Sequence, residues 1–380
     1  MRFVRRFAIA TALCCTASAL RAQGSLGLQG WGYPGGELST RALATGGSLA
    51  DFDANSPINP AALLVGTRAT VYLQYDPEFR WINGPGVNAS TITARFPLFL
   101  ISGKVGKARF SFSYSSFLDR TWTNTYQDTQ LVGAAKVPST VTAISDGGIA
   151  DIRGAMSYTF SDKLTIGAGV HVFPGQNHII FGRSFPQDTT SFGSFSQTNT
   201  YNFSGSAVSL GIITTPLPHI NVGLSGRYGF SMHVHQGDST TVGDAKVPNR
   251  VSASLAYDGI PGTIIAGRFG KEDWSAMKGL GSAGLTVFDA TEFSAGIETA
   301  GPKFNSITMP VRFGFRDRTL PFGVGPQQVH ETELSAGAGI PLSQGRVALD
   351  LTLAHALRTA NIAYSETGWI FSLGIAIKPY

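Results

Sequence analysis

The chain has 380 residues, 46 of them Gly and 25 Phe, yet only 14% are charged, against roughly 25% in an average soluble domain. No apolar run approaches the roughly 18 residues that a membrane-spanning helix needs, so a helical membrane bundle is excluded. The formal charge of +5 includes Arg2, Arg5, Arg6 and Arg21; without those four it is +1, which gives no warrant for a nucleic-acid partner.

Residues 1–22 read as a secretory signal peptide, with a basic start, the apolar stretch FAIATALCCTASAL and small residues up to Ala22. Cys14 and Cys15 fall inside it, so the mature chain is expected to hold neither disulfides nor thiol chemistry. Residues 23–66 follow neither a helical nor a strand period and are rich in Gly and Pro. They end on DANSPINPAAL at 53–63.

From residue 67 to 380 the chain alternates apolar and polar positions with the period of a strand. Fourteen segments are expected: 67–75, 90–101, 107–117, 149–160, 163–173, 200–214, 218–234, 246–258, 262–273, 287–299, 303–317, 330–341, 344–357 and 366–378. Short connections such as KVGK, SDK, TPLP, GIPG, AGPK and SQG take turns with long ones at 76–89, 118–148, 174–199, 235–245, 274–286, 318–329 and 358–365. An even strand count with connections of alternating length predicts a transmembrane antiparallel up-and-down β-barrel in an outer membrane, with both termini periplasmic. Several segments exceed the roughly 9–11 residues needed to cross, so the wall should rise above the bilayer.

Hydrocarbon cannot solvate charge, so the Leu/Val/Phe/Tyr face of each strand should meet lipid and the other face the lumen. In 220–235 this assigns Ile220, Val222, Leu224, Tyr228, Phe230, Met232 and Val234 outward, with Arg227, His233 and His235 inward. Arg268, Arg312 and Arg316 join the luminal set. Tyr158, Tyr257 and Trp369 fit an interfacial girdle. A lumen of this width cannot be filled by wall side chains alone. Residues 23–66 are therefore expected inside it, where irregular backbone is tolerated.

The stretch STRALATGGSLADFDANSPINPAAL resembles the N-terminal hatch of the FadL family of outer-membrane transporters for long-chain fatty acids and related hydrophobic compounds. On that resemblance Arg41–Ala44 forms a short helix, and Gly46, Gly47, Asp51, Asp53, Asn59, Pro60 and Ala61 are the hatch and gating positions. The resemblance implies passive import of fatty acids or hydrocarbons, without cofactor or catalysis. It also implies a hydrophobic ligand, membrane lipids and the barrel-assembly machinery as partners, and it leaves the oligomeric state open. Related hatch-bearing barrels of the PorV type instead serve protein secretion, and a general diffusion pore is a third reading.

The luminal arginines could hold an anionic head group or pair with Glu37, Asp51 and Asp53 to pin the hatch. Trp81, Trp122, Phe185, Phe192 and Trp274 could form a hydrophobic entry or simply pack the loops. His233-x-His235 sets two imidazoles about 6.5–7 Å apart along a strand, a spacing compatible with a shared metal. No third ligand stands near except Asp238, so two polar histidines is the reading adopted. No nucleophile elbow, zinc helix or phosphate loop is present.

Overall fold

The computed structural model describes residues 32–65, 69–84, 87–132, 135–186, 193–237, 240–280, 286–304, 307–361 and 364–378. The signal-peptide reading of residues 1–22, Phe192 and Asp238 lie outside these. The wall consists of fourteen strands. The first seven are β1 (Thr70–Gly84), β2 (Val87–Val105), β3 (Ala108–Asp119, resuming as Trp122–Val132), β4 (Ala135–Ser161), β5 (Leu164–Val172, resuming as Gly175–Ser184), β6 (Phe195–Leu217) and β7 (Ile220–Gln236). The rest are β8 (Thr240–Lys246, resuming as Arg250–Ile260), β9 (Thr263–Glu272), β10 (Ala290–Phe304), β11 (Ile307–Val324), β12 (Gln327–Leu342), β13 (Val347–Asn361) and β14 (Tyr364–Ile377). Each pairs antiparallel with its sequence neighbour, and β14 closes on β1 from Ile377↔Val71 to Ser365↔Asn83. Closure satisfies the backbone at that seam and leaves no edge there.

The alternation sorts the faces as solvent demands. Phe110, Phe112, Val170, Leu210, Leu224, Val251, Leu255, Phe313, Leu351 and Phe371 point outward and are exposed, as are Tyr158, Tyr257 and Trp369. Their neighbours Ser111, Ser113, Ser209, Ser225, Ser252, Ser254, Asp350 and Thr352 are buried inside. An apolar exterior around a polar interior inverts the soluble pattern, and the chain is an outer-membrane β-barrel.

Most of the expected long connections are strand. Residues 76–84, 122–132, 135–148 and 318–324 continue the wall, so the barrel is taller at that end than the alternation suggested. The reason is physical. Stretches such as TWTNTYQDTQ stand clear of lipid, both of their faces are wet, and no apolar alternation marks them. They are still rich in Thr and Tyr, which favour pleated backbone. Pro174 and Pro248 fall in the breaks of β5 and β8, where a missing N–H is tolerated.

Residues 33–65 lie inside the ring. Helix α1 (Thr40–Ala44) starts one residue earlier than expected; the Ser39 hydroxyl accepts a hydrogen bond from the Ala42 amide at 3.0 Å and caps it. Two 3-10 turns follow at Ala50–Phe52 and Pro60–Val65.

Candidate functional site

The inner segment is held mainly by polar contacts. Asp51, fully buried, accepts hydrogen bonds from Ser225 (2.8 Å) on β7, Ser252 (3.2 Å) and Ser254 (2.5 Å) on β8, and the Arg268 guanidinium (3.0 Å) on β9. Glu37 takes Arg227 at 2.9 Å and also Arg250. On the opposite side Arg41 forks onto Glu298 at 2.7 and 2.8 Å, Thr40 bonds Tyr72 and Ser372, and Thr352 donates to the Thr40 carbonyl. These bonds to ionised groups, two-pronged in the case of Arg41, are the strong kind. The Arg41 guanidinium is held above its usual range: its bond to and charge attraction for Glu298 outweigh the burial that would lower it.

The wall meets the segment with glycine. A Cβ at Gly167 would collide with Pro60–Ala61, at Gly211 with Asn59, at Gly296 with Thr45, and at Gly314 with Thr45–Gly46. Backbone rests directly on backbone at Gly167 and Gly314, whereas the Asn59 side chain sits on Gly211 and Thr45 and Ser48 together on Gly296. Gly46 and Gly47 adopt positive φ (65° and 93°), which lets the chain turn away from β11 after α1. Asn59 accepts from the Ala61 amide at 2.9 Å and reaches the carbonyls of β6 and β7, while Arg153 donates to the Pro57 carbonyl at 2.8 Å. Asp53 bonds Ser39 and lies 3.8 Å from Arg41, within the segment itself.

Of the luminal arginines, Arg227 and Arg268 thus pair with acids of the segment. Arg312 instead binds Glu298 and Asp350, and Arg316 binds Glu333, all on the wall. His233 faces outward, contrary to the alternation. A β-bulge between Gly229 and Met232 shifts parity, so Met232 and Val234 turn inward and His233 bonds Asp244 on the outside. His235 sits beside Thr241 instead, so the two imidazoles bond separate partners.

Above the inner segment stands a charged belt that the sequence reading missed. Arg80, Arg95, Arg318 and Arg358 surround the ring of Tyr33, their guanidinium carbons 4.6, 5.5, 5.8 and 4.7 Å from its centroid. Each is paired with carboxylate: Glu78, Asp119, Glu331 and Glu366. The Tyr33 hydroxyl donates to Glu331 at 2.6 Å and accepts from Arg318 at 2.9 Å. Burial pushes its phenol up to about 12.

Beside the belt is an apolar cluster of Phe117, Leu118, Ile149, Phe173, Phe203, Met232 and Trp274, inside the barrel. Trp274 is 2% exposed and stacks on Phe117 at 5.1 Å, so it is an interior residue, whereas Trp81 is exposed. A cavity of about 170 Å³ lies against Tyr33, Phe117 and Trp274.

The wall is interrupted next to this cluster. The β2–β3 ladder runs only from Val105↔Ala108 to Leu98↔Ser115. Beyond it come Pro97, which has no N–H to donate, and a bulge at Ser116/Leu118 that turns Phe117 and Leu118 inward together. Among the described residues, 87–95 pair only with β1 and 122–132 only with β4. The resulting cleft of about 1090 Å³ is lined by Phe96 and Tyr114, exposed on the outside, and by Leu118 and Ile149 of the interior cluster. Residues 33–35 bridge part of it: Tyr33 and Pro34 pair with Asp119 and Leu118, and the Gly35 amide donates to Phe117.

His171 bridges Asp151 (2.8 Å) and Ser209 (2.9 Å), the chain of groups that a serine hydrolase would use. All three are buried in the wall, and Ser209 is 2% exposed.

No family model and no curated protein sequence matches the chain. Solved structures do. A Pseudomonas aeruginosa FadL homologue superposes with a TM-score of 0.61 at 12% identity, covering 92% of this chain and 99% of that one. The P. putida toluene transporter TodX gives 0.56 at 12%, covering 93% and 99%. The Ralstonia pickettii toluene transporter TbuX gives 0.54 at 14%, covering 93% and 99%. The fold is that of the FadL-type barrels.

Proposed function

We propose that this barrel is a channel for passive import of small hydrophobic molecules across an outer membrane, with both termini periplasmic and residues 23–66 acting as its hatch. The observation that carries the reading is a continuous apolar path. Leu118 and Ile149 belong both to the interior cluster and to the cleft whose outer lip is Phe96 and Tyr114. A hydrophobic solute can pass from Phe173, Phe203 and Trp274 towards lipid along this path, and Arg227, whose guanidinium lies over Phe117 and Phe173, is paired with Glu37. Two of the solved barrels with this fold are named for toluene transport, which suggests ligands of that size. The cavity of about 170 Å³ beside Tyr33 is of the same order as a dry cavity of about 150 Å³ that holds benzene.

In this mechanism Gly46, Gly47, Asp51, Asp53, Asn59, Pro60 and Ala61 define how the hatch sits and where it yields. Pro60 fixes φ and needs no hydrogen-bond acceptor, so it can rest against Gly211 and Gly167 on the wall. The test is permeation of toluene and of arabinose into liposomes carrying the barrel. Toluene should cross faster than in protein-free liposomes while arabinose does not. Deletion of 24–60 should then admit arabinose with the barrel still folded. Arabinose crossing the intact protein freely would make it a general pore, and unchanged permeability after the deletion would remove the hatch role.

A further inference from the structure

We propose that the arginine belt around Tyr33 is a binding site for neutral hydroxylated aromatics, with Tyr33 as its tethered occupant. The inference rests on the channel reading above and deepens it by naming a substrate class. Four guanidinium groups within 4.6–5.8 Å of one ring centroid are far more than packing of a tyrosine requires. Energetically significant cation–π contacts occur only about once per 70–80 residues. The site also reads the hydroxyl twice, since Glu331 accepts its proton and Arg318 donates to its oxygen. An aromatic without that oxygen leaves Glu331 and Arg318 bonded to each other but each with one hydrogen bond fewer, and sites built around a hydroxyl reject such analogues.

Charge decides against a fatty acid. Arg80, Arg95, Arg318 and Arg358 already face Glu78, Asp119, Glu331 and Glu366, four against four. A carboxylate head group would add an uncompensated buried charge, whereas a neutral phenol restores what Tyr33 supplies. The raised pKa of Tyr33 keeps the occupant neutral across physiological pH.

Tyr33 is also placed to leave. Its backbone is fixed to the wall by a two-residue pairing with Leu118–Asp119 and by one amide from Gly35. The ring borders the cavity of about 170 Å³, and Arg95 of the belt lines the cleft between β2 and β3, so a competing ring could reach the belt from either side. When a phenol takes the belt, the 33–35 strand loses its anchor at the cleft, which couples recognition to opening of the wall.

The test is equilibrium binding of p-cresol, toluene and octanoate to the full-length barrel in detergent, comparing wild type with Tyr33→Ala. The variant should bind p-cresol at least tenfold more tightly than the wild type does, and at least tenfold more tightly than it binds toluene, with no gain for octanoate. Equal binding of toluene, or octanoate bound best, would overturn the proposal. If Tyr33→Ala fails to fold, Tyr33→Phe keeps the ring but gives up both hydroxyl contacts. It should yield to p-cresol severalfold more readily than the wild type, and an unchanged affinity overturns the site. Toluene permeation through the wild-type barrel is measured separately. Permeation without phenol selectivity discards the site and keeps the channel, while phenol selectivity without permeation does the reverse.

Discussion

Removing the Asp51 carboxylate should unseat the inner segment while leaving the wall intact. Asp51 gathers three serine hydroxyls and the Arg268 guanidinium from three successive strands. Breaking a buried ion pair from one side costs about 3–5 kcal/mol. Arg268 keeps Glu292, and Ser225 and Ser252 can bond each other at 2.7 Å, so the lower end applies, about 3 kcal/mol. At 1.4 kcal/mol per decade, Asp51→Ala raises the unseated population on the order of a hundredfold. The β7–β8–β9 ladders do not involve this side chain, so the barrel should remain closed. Single-channel recording in a planar bilayer reads the effect as a rise in open-state occupancy; Asp51→Asn, which keeps acceptors, should show a smaller one. A correctly folded Asp51→Ala barrel with wild-type conductance would refute the argument that this carboxylate pins the segment.

Gly314→Val should act from the other side, because the three nearest atoms to a Cβ there all belong to Thr45–Gly46; open-state occupancy should rise, and normal occupancy would mean that the seat yields. Phe117→Ala removes the partner of both Trp274 and Phe173 and, at about 3–5 kcal/mol for a buried Phe, should red-shift tryptophan emission and slow toluene permeation severalfold. Alkaline pH should loosen Tyr33: its phenol titrates near 12 when buried and near 10 when free, so the docked state is fully favoured below 10 and loses on the order of 2–3 kcal/mol by 12. Protease access to residues 32–36 should therefore increase between pH 10 and 12 in the wild type, and Tyr33→Phe should abolish that dependence.

The strand count and the two faces were legible because lipid imposes alternation on every crossing segment. The belt was not. Arg80, Arg318 and Arg358 fall in stretches that read as loops, and around the first two the Pro, Gly and charged residues of DPEFRWING and RTLPFGV break the apolar alternation. Arg95 lies in an expected strand, but its partner Asp119 is 24 residues away, and Tyr33 sits in the Gly-rich lead with no period at all. His233 was misassigned because a bulge changes parity without a sequence signature as plain as a proline. The seats at Gly167, Gly211, Gly296 and Gly314 did have a signal, a glycine on the luminal parity of an otherwise Ser-rich face. It becomes interpretable only once the inner segment is placed against them.

The way the segment is held bears on how it can move. Its own apolar core is small, with Ala42, Ala50 and Ile58 buried and Leu38 packed against them. Apart from Leu49 and Phe52, which pack on Ala256 and Ala266, its attachment to the wall runs through hydrogen bonds and ion pairs to luminal Ser, Thr, Arg and Glu. A plug fixed by hydrophobic burial would expose apolar surface on release, at roughly 25 cal/mol per Å². One fixed by polar groups exchanges each partner for water, so the net loss per bond is only about 0.5–1.5 kcal/mol when both sides become wet. The seats at Gly167 and Gly314 serve the same end, since backbone resting on backbone there leaves no side-chain pocket to empty. On the proposed mechanism a segment so mounted exchanges polar partners for water as it shifts, while the wall, closed by its ladders, stays fixed. The β2–β3 cleft is the exception in that wall, and it is where the apolar cluster meets lipid. On the proposed mechanism, the parts that move are joined by exchangeable polar bonds, and the apolar side of the solute's path runs along Phe117, Leu118, Ile149 and Phe96.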